Sequence, residues 1–434
     1  MRRRRPEGEV LPAAEAPPAP RVVEEPRYEI LERTNPHVIS AAKTLAEVEL
    51  IELEIERLVF GGEGLGRYDG VPIFVPRSAP GEKLLVRLVE RRTGWGRAEI
   101  VEILSASPER RDAPCPYFER CGGCDLQHLE DAAQLRHKSA AVLESLVRQG
   151  GVEIPKDALE VIAGDPWAYR TRTQLHVAQS ERGREVGYFA RNSHQLVAVD
   201  VCPILVPELE KQLPSLPRLI RDERHERVDL TSGDDRRITC SPPVENLPHG
   251  SVERTLGGFR YEIDARVFFQ SHRQLAEKLV EVAIGEGGDE AGEAYDLYAG
   301  VGLFSLPLAR RYKRVVAVEG DRVASRFARR NVKANGLENV SVEAISVDSF
   351  TSLLPKNIAR VVVDPPRVGL STTVRRALIE ARPRHLTYVS CHAPTLARDL
   401  RELLKHYRLE KLVLLDMFPQ TGHMEVVAQL RLLG

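Results

Sequence analysis

The sequence predicts a doubly wound α/β domain in its C-terminal part, preceded by a small all-β barrel. After residue 257, apolar segments typical of strands alternate with amphipathic helical segments, as in "RVVAVEGD" followed by "RVASRFARRNVKANG". The apolar run at 361–363 favours a parallel strand that helices cover on both faces. From residue 49 to about 105, apolar and polar residues instead alternate between Gly and Pro turns, which indicates short β-strands.

The segment 46–105 is predicted to close into a barrel of about five strands, because closure removes exposed sheet edges. Its loops carry glycines, aromatic rings and the arginines Arg67, Arg91, Arg92 and Arg97. That mixture is typical of surfaces that contact a nucleic-acid backbone and stack bases. A plain folding module is the alternative interpretation.

Residues 1–45 are rich in Pro, Ala, Glu and Arg, and we expect a disordered tail because they offer too little apolar surface to bury. Its four leading arginines favour either a contact with RNA or simple solvation. The chain has 62 basic and 63 acidic residues among its 434, a balance that neither indicates nor excludes a nucleic-acid partner. No apolar run approaches the roughly 20 residues of a membrane span. We therefore expect a cytoplasmic protein that does not contact a membrane.

Four of the six cysteines predict a metal centre in the middle segment, 106–256. Cys115, Cys121 and Cys124 lie close together, and Cys202 follows far downstream, directly before a proline. Thiolates select zinc or iron–sulfur centres. Four-cysteine zinc sites usually form two close pairs, so a triplet with a distant fourth cysteine favours an iron–sulfur cluster and leaves zinc as the alternative.

Two motifs of the α/β domain indicate a ligand at the carboxyl ends of its strands. In "YDLYAGVG", a glycine turn follows a strand, and Glu319 ends the next strand, where it can accept hydrogen bonds from the ribose of an adenosine cofactor. In "VVVDPPR", Asp364 precedes two prolines that stiffen the loop. Arg367 stands where amino-directed methyltransferases have an aromatic residue and cytosine-directed enzymes have a cysteine, so neither chemistry is predicted.

A lone cysteine, Cys391, ends the strand "HLTYVSC" on the same predicted sheet edge as Asp364. A single cysteine is commonly a buried structural thiol. Here a helix is predicted to start just after it, and the amides of a helix N-terminus favour a thiolate. We therefore expect Cys391 to be a nucleophile.

From about residue 50 to its end, the chain resembles the S-adenosylmethionine-dependent RNA 5-methyluridine methyltransferases. The resemblance rests on "FFQ" at 268–270, "DLYAGVG", "VEGD", "DPPR", "SC" with "TLARDL", and "HMEVVA". Within that family it is similar to the iron–sulfur members that carry a TRAM domain and act on 23S rRNA. The resemblance implies an OB-like TRAM domain at 46–105, a central iron–sulfur domain at 106–256 and a class I methyltransferase domain at 257–434, in a monomer.

The resemblance also implies a role for each site residue. The expected cofactor-binding residues are Gln270, Tyr298, Glu319 and Asp364, and the expected ligands of a 4Fe-4S cluster are Cys115, Cys121, Cys124 and Cys202. Cys391 would add to carbon 6 of the target uracil, since carbon 5 becomes nucleophilic enough to take a methyl group only after that addition. Glu425 would then remove the proton from carbon 5. Phe268 would stack on the extruded base.

The chain departs from the family pattern at a few positions around these motifs: Ala299, Leu303, Ser271 with His272, and His392 with Ala393. Three alternative functions remain compatible with the sequence. They are the same reaction on tRNA, a non-catalytic RNA-binding protein that has lost its activity, and an iron–sulfur redox sensor. Retention of both Cys391 and Glu425 argues against the second, and "DPPR" argues against the third.

Overall fold

The structure is a computed structural model that describes residues 49–152, 158–181, 183–222, 224–286 and 289–434, without the side chains of residues 289 and 290. The predicted tail at 1–45 lies outside the described residues. Within them, no helix is long and apolar enough to cross a membrane.

The predicted N-terminal barrel is confirmed as a closed barrel with the strand order β1-β2-β3-β5-β4. Its strands are β1 (Leu50–Leu58), β2 (Gly64–Tyr68), β3 (Val71–Val75), β4 (Lys83–Arg92) and β5 (Trp95–Ser105). Alternate side chains of β1, among them Ile51, Leu53 and Ile55, point into the barrel core, as the period of two requires. Gly66 lets β1 and β2 approach, because a Cβ atom there would lie 2.5 Å from the carbonyl oxygen of Glu54.

The middle of the chain forms a five-stranded antiparallel sheet in the order β11-β10-β7-β8-β9. The elements of this region are α1 (Asp131–Gly150), β6 (Leu159–Ile162), β7 (Arg172–Ser180), β8 (Gly183–Phe189), β9 (Leu196–Ala198), α2 (Pro207–Glu210), α3 (Leu216–Leu219), β10 (Arg227–Ser232) and β11 (Ile238–Ser241). One face of this sheet covers an apolar core that includes Leu175, Val186 and Leu230. Neither α1 nor β6 belongs to the sheet: α1 packs on the last helix of the chain, and β6 joins the large C-terminal sheet.

The C-terminal part is a doubly wound α/β domain with an eight-stranded sheet in the order β16-β15-β14-β17-β18-β20-β19-β6. Its strands are β14 (Asp289–Leu297), β15 (Tyr312–Val318), β16 (Val340–Glu343), β17 (Arg360–Val363), β18 (His385–Ser390), β19 (Tyr407–Leu415) and β20 (Glu425–Leu432), and a hairpin of β12 (Val252–Leu256) and β13 (Phe259–Ile263) precedes them. Its helices are α4 (Leu275–Ile284), α5 (Ser305–Ala309), α6 (Arg322–Ala334), α7 (Val347–Phe350), α8 (Thr372–Ala381) and α9 (Ala393–Leu403), with a 3₁₀ turn at Thr351–Leu353. Successive residues of β17 face two separate cores, Val362 in one and Val361 and Val363 in the other, so helices cover both faces as predicted.

The last two strands correct one expectation from the sequence. The final segment "LEKLVLLDMFPQTGHMEVVAQLRLL" reads as two strands around a Pro-Gly turn, a pattern that predicts an antiparallel edge. In the structure, β20 runs antiparallel between β18 and β19, and β6 pairs with the outer side of β19. The first four residues of β20, from Glu425 to Ala428, are all buried, which suits an inserted strand better than an edge. The insertion matters for function because it brings the start of β20 to the carboxyl end of β18.

Candidate active site

All ten residues predicted from the sequence line one cavity of about 900 Å³. They are Cys115, Cys121, Cys124, Cys202, Gln270, Tyr298, Glu319, Asp364, Cys391 and Glu425. Phe268 also lines the cavity, and 60% of its surface is exposed, so its ring is available for stacking. The fold therefore gathers residues from the central segment and from distant parts of the C-terminal domain around one space.

Five of these residues lie at strand ends along a single edge of the large sheet. Tyr298 follows β14, Glu319 follows β15, and Asp364 follows β17. Cys391 follows β18, whereas Glu425 begins β20, which runs the opposite way. In the ladder between β18 and β20, Ser390 is opposite Val426, so continuing the register by one residue places Cys391 opposite Glu425. Directly opposed residues point to the same face of a sheet.

Cys391 is half-buried, and burial raises the pKa of its thiol to about 11. The nearby Glu425 and Asp364 raise this pKa further, while Arg367 lowers it. Burial thus opposes the thiolate that the helix N-terminus is expected to favour. The physical reason is that burial among carboxyl groups outweighs the helix, whose first turn is already capped by the side chain of His392.

We expect alkylation of Cys391 by iodoacetamide to become about tenfold faster with each pH unit, up to about pH 11, because only the thiolate reacts. The pKa of this thiol is raised, so the thiolate fraction at neutral pH is small and grows until the pH reaches the pKa. Mass spectrometry of the peptide that contains Cys391 would measure the rate without interference from the other cysteines. A rate that levels off below pH 9 would contradict this prediction.

Glu425 and Asp364 form a pair of carboxyl groups whose pKa values are both raised. Burial raises the pKa of Glu425 well above its usual value, and the charge of Asp364 adds to the effect. Burial likewise raises the pKa of Asp364 to about 7, with Asp296 as the second cause. Among the described residues, Oε1 of Glu425 is buried without a hydrogen-bond partner. Buried polar atoms normally have partners, so this oxygen indicates a place for a ligand atom.

Besides Asp364, the predicted cofactor-binding residues Gln270, Tyr298 and Glu319 line the same cavity. Both carboxylate oxygens of Glu319 accept backbone hydrogen bonds, from Gly300 N at 2.8 Å and Asp321 N at 2.7 Å. Tyr298 has a φ of 66°, in the left-handed region that a bulky residue rarely adopts. Gln270 is buried, and its Oε1 has no hydrogen-bond partner among the described residues. An orphaned acceptor at this position fits a ligand that donates hydrogen bonds.

The four cysteines of the predicted metal centre face the same cavity and none forms a disulfide. Cys202 is buried, and burial raises its pKa to about 11. Within the described part of the chain, however, no three His, Cys, Asp or Glu side chains are placed so that they could hold a metal ion. The chemistry of the four thiols fits an iron–sulfur cluster, whose four irons are each held by a different cysteine.

The loop that leads into Glu425 is held by the segment that follows the cysteine triplet. Asp125, directly after Cys124, accepts a hydrogen bond from Gly422 N at 2.7 Å, and its own N–H donates to the carbonyl of Gln420 at 2.9 Å. Lys138 of α1 donates to Asp416 at 2.7 Å in a buried ion pair. These contacts connect the cysteine segment and α1 directly to the loop before Glu425.

The barrel contacts the rim of the cavity around Cys391 and Glu425, through the loop before Glu425 and the residue after Cys391. A Cβ atom on Gly422 would lie 2.2 Å from the backbone of Gly61, so only glycine fits this contact. The ring of Phe60 meets His392, next to Cys391, edge to face at 4.7 Å between centroids. The barrel is therefore part of the wall around the site, which the sequence did not indicate.

Sequence reasoning assigned no role in the site to two residues that lie beside Cys391 and Glu425, Arg367 and His423. Arg367 is the cation that lowers the pKa values of both Cys391 and Glu425, and it contacts His423 Nε2 at 3.2 Å. Burial and Arg367 lower the pKa of His423 to about 4, which keeps its ring neutral. The position of Arg367 directly after "DPP" and of His423 within "GHME" was the available signal.

The four barrel arginines expected to contact RNA are all paired with carboxylates. Their partners are Glu56 for Arg67, Glu49 for Arg91, Glu90 for Arg92 and Glu63 for Arg97. Such pairs at the surface contribute little stability and can exchange partners, but they lower the net positive charge of the barrel.

Two family models match the chain. A TRAM domain matches residues 46–101, and the tRNA (Uracil-5-)-methyltransferase family matches residues 252–431. Among solved structures, the chain is similar to the tRNA (uracil-54, C5)-methyltransferase of Pyrococcus abyssi in complex with S-adenosyl-L-homocysteine. The TM-score is 0.68 at 26% identity, over 87% of this chain and 99% of that one. The doubly wound sheet with its row of polar residues at one edge thus defines a methyltransferase.

Curated relatives narrow this class. A 23S rRNA (uracil(1939)-C(5))-methyltransferase RlmD of Pseudomonas putida is 33% identical over 87% of this chain and 92% of its own length. The protein of the same name from Pectobacterium atrosepticum is 32% identical over 85% and 90%, and an uncharacterized RNA methyltransferase of Protochlamydia amoebophila is 31% identical over 88% and 97%. This chain belongs to the TRAM-containing RNA (uracil-5-)-methyltransferase family.

Proposed function

We propose that the protein transfers a methyl group from S-adenosylmethionine to carbon 5 of a uridine in structured RNA, with 23S rRNA as the first candidate. The observation that carries this proposal is the meeting of Cys391, Glu425 and Asp364 on one rim of the large cavity. A thiol opposite a buried carboxyl group matches the two chemical needs of methylation at carbon 5, a nucleophile and a base. The names of the relatives from Pseudomonas putida and Pectobacterium atrosepticum support 23S rRNA.

Bound S-adenosylmethionine would supply its sulfonium methyl group to carbon 5 and leave as S-adenosylhomocysteine when the bond between its sulfur and that methyl group breaks. We propose that Gln270, Tyr298, Glu319 and Asp364 bind it, since all four line the cavity. Tyr298, Glu319 and Asp364 follow strand ends, and Gln270 offers a buried Oε1 that has no hydrogen-bond partner among the described residues. Glu319 keeps lone pairs free for ribose hydroxyls although each of its oxygens already accepts one backbone N–H. The positive charge of the sulfonium also favours the ionised form of nearby carboxyl groups such as Asp364.

The proposed reaction begins when the Cys391 thiolate forms a bond to carbon 6 of the uracil. The electrons of the double bond between carbons 5 and 6 then move toward the carbonyl oxygen, and carbon 5 becomes nucleophilic. Since burial raises the pKa of Cys391, the thiol must release its proton to solvent as the substrate binds. Arg367 favours that loss, because it is the cation that lowers the pKa of this thiol.

Glu425 is proposed to take the proton from carbon 5 once that carbon carries the methyl group. The electrons of the carbon–hydrogen bond restore the double bond, and the bond between carbon 6 and the sulfur of Cys391 breaks. A buried carboxyl group with a raised pKa is a strong base once it is ionised. The proton acceptor thus sits where water is excluded, opposite the nucleophile in the continued register of β18 and β20.

The same reaction on tRNA is the second candidate, favoured by the similarity to the Pyrococcus abyssi tRNA enzyme. Both candidates are tested by incubating the purified protein with S-adenosylmethionine that is labelled in its methyl group. Unmodified 23S rRNA and unmodified tRNA are the substrates of two separate reactions. Label recovered as 5-methyluridine from either RNA supports the function and selects the substrate. No label in 5-methyluridine from either RNA would contradict the proposed function.

We further propose that Cys115, Cys121, Cys124 and Cys202 hold a 4Fe-4S cluster that shapes the central domain. Their shared cavity and thiol chemistry support this, since iron–sulfur clusters are held by four thiolates. We also propose that the protein is a cytoplasmic monomer. Its proposed domains span residues 46–105, 106–256 and 257–434. The pairing of β6 with β19 adds that the central segment also contributes a strand to the last sheet.

Protein purified without air should contain about four irons and four sulfides per chain and lose its brown colour on exposure to oxygen. Each of the four cysteines would bind a different iron, so the cluster does not require three thiols to converge on one metal ion. Metal and sulfide analysis measures the content, and Cys240→Ser, which alters a buried cysteine outside the cavity, is the control. Stoichiometric zinc without iron would overturn the cluster assignment.

A further inference from the structure

The open face of the central sheet carries a row of three rings that the proposed reaction does not use. The rings of His176 on β7 and Phe189 on β8 stack with their centroids 3.7 Å apart and a tilt of 19°. His194, in the loop after β8, meets Phe189 edge to face at 5.3 Å. We call these three residues the ring row.

A glycine, which has no side chain, allows this arrangement. Gly187 is directly opposite His176 in the ladder between β7 and β8, so the imidazole leans over an empty position onto Phe189. A Cβ atom at Gly187 would lie 1.9 Å from the carbonyl oxygen of Val197, so the position must stay glycine. Burial, Arg227 and His194 lower the pKa of His176, which keeps the imidazole neutral and suited to stacking.

The face around the ring row is polar and faces outward. Along β7, residues 173 and 175 are buried in the core, whereas Arg172, Gln174 and His176 alternate with them on the other face and are half-buried, as is Phe189. His194 is exposed. Arg172 and Arg227 share one buried carboxylate, that of Asp229, so this patch keeps an excess of positive charge.

The ring row is continuous with the proposed active site. Gln174, next to His176 on the same face of β7, lines the large cavity. Arg172 donates to the carbonyl of Ala265 at 3.4 Å, three residues before the exposed ring of Phe268. A strand of RNA whose target base enters the cavity would therefore find the ring row within reach of its neighbouring nucleotides.

The cysteine segment fixes the backbone under the row. Gly122, between Cys121 and Cys124, donates its N–H to the carbonyl oxygen of Phe189 at 2.9 Å. A Cβ atom at Gly122 would lie 2.8 Å from that oxygen. The position of Phe189 is thus set by the loop that carries the predicted cluster ligands.

We propose that His176, Phe189 and His194 form a stacking platform for unpaired bases that flank the target uridine. Rings that solvent can reach beside positive charge bind single-stranded RNA, because every base has a face that can stack whereas paired bases are already stacked. Of the three rings, His194 is exposed, and His176 and Phe189 are half-buried. This inference rests on the proposed function for the identity of the target and on the ring geometry for the platform itself.

The test uses the full-length protein and the variants His176→Ala, Phe189→Leu and their combination. The probe is an unpaired oligouridylate of about 12 nucleotides that carries one 2-aminopurine, whose fluorescence falls when it stacks. We expect each single variant to weaken binding about tenfold, and the combination to abolish the fluorescence change. The dependence of affinity on salt should stay as in the wild type, since no phosphate contact is removed.

His406→Ala, an exposed histidine after α9, is the matched control and should bind as the wild type does. S-adenosylmethionine affinity and thermal stability should be unchanged in all variants, and the KM for RNA should rise while kcat stays constant. His194→Ala, at an exposed loop position, repeats the test without a change in the sheet. Wild-type affinity in the combined variant, or an equal loss of affinity for a duplex RNA of the same length, would overturn the platform. A wild-type protein that binds the probe but methylates no RNA would instead refute the proposed function.

Discussion

The variant Cys391→Ala should transfer no methyl group to RNA, with activity reduced by roughly 10⁴-fold or more. Without the thiol no bond to carbon 6 forms, and carbon 5 of uracil stays too weak a nucleophile to take the methyl group. The measurement is transfer of labelled methyl groups to 23S rRNA or tRNA. Because alanine removes only the sulfur from a half-buried position, we expect the fold and the affinity for S-adenosylmethionine to be retained.

Cys240→Ala is the matched control, since Cys240 is a buried cysteine of β11 that does not line the cavity. It should methylate RNA at the wild-type rate. If the wild-type protein is active and Cys391→Ala keeps more than a tenth of that activity, Cys391 is not the nucleophile. A variant that also loses S-adenosylmethionine binding would indicate that Cys391 serves cofactor binding.

The variant Glu425→Gln should complete the methyl transfer once and then stay bonded to its product. Without a base, the methylated uracil cannot lose the proton from carbon 5, so the sulfur of Cys391 cannot leave. Turnover should fall by about 10²- to 10⁴-fold, the usual contribution of general base catalysis. Denaturing gel electrophoresis with RNA and S-adenosylmethionine should show a slowly migrating band of protein linked to RNA.

The double variant Cys391→Ala with Glu425→Gln should show no such band, because the bond is made by that sulfur. Gln is close to Glu in size, and Glu425 Oε1 has no hydrogen-bond partner among the described residues, so the substitution should not disturb packing. Normal turnover in Glu425→Gln would assign the base to another group. Asp364 would then be the next candidate, as its pKa of about 7 also suits a base.

The cysteine segment and the barrel have a larger part in the site than their sequences suggested. Asp125 follows the third cysteine of the triplet and holds Gly422, three residues before Glu425. Gly61 of the barrel packs against the backbone of the same Gly422. Removing the barrel would therefore expose the rim of the site as well as any RNA-binding surface, so point substitutions are the better probes of its role.

The α/β domain, the barrel and the residues at the strand ends could be predicted from the sequence because their signals are local. An apolar strand and the Asp364 or Cys391 that follows it can be recognised within a few residues of chain. Neighbouring parallel strands end at the same edge of the sheet, so the side chains that follow them are expected to lie close together. The placement of β20 could not be predicted in this way. Whether a strand lies at an edge or between two others depends on pairing with strands far away in the sequence, such as β6.

The sequence by itself determined which chemical groups the site contains, and the tertiary structure decided their charge state and surroundings. A thiol before a helix suggested a thiolate at Cys391, yet burial beside Glu425 and Asp364 raises its pKa to about 11. The reason is that a pKa responds to lost hydration and to charges within a few ångströms, whichever part of the chain brings them. The stacking of His176 on Phe189 has the same origin, because it depends on an empty position at Gly187 that only strand pairing places opposite the imidazole.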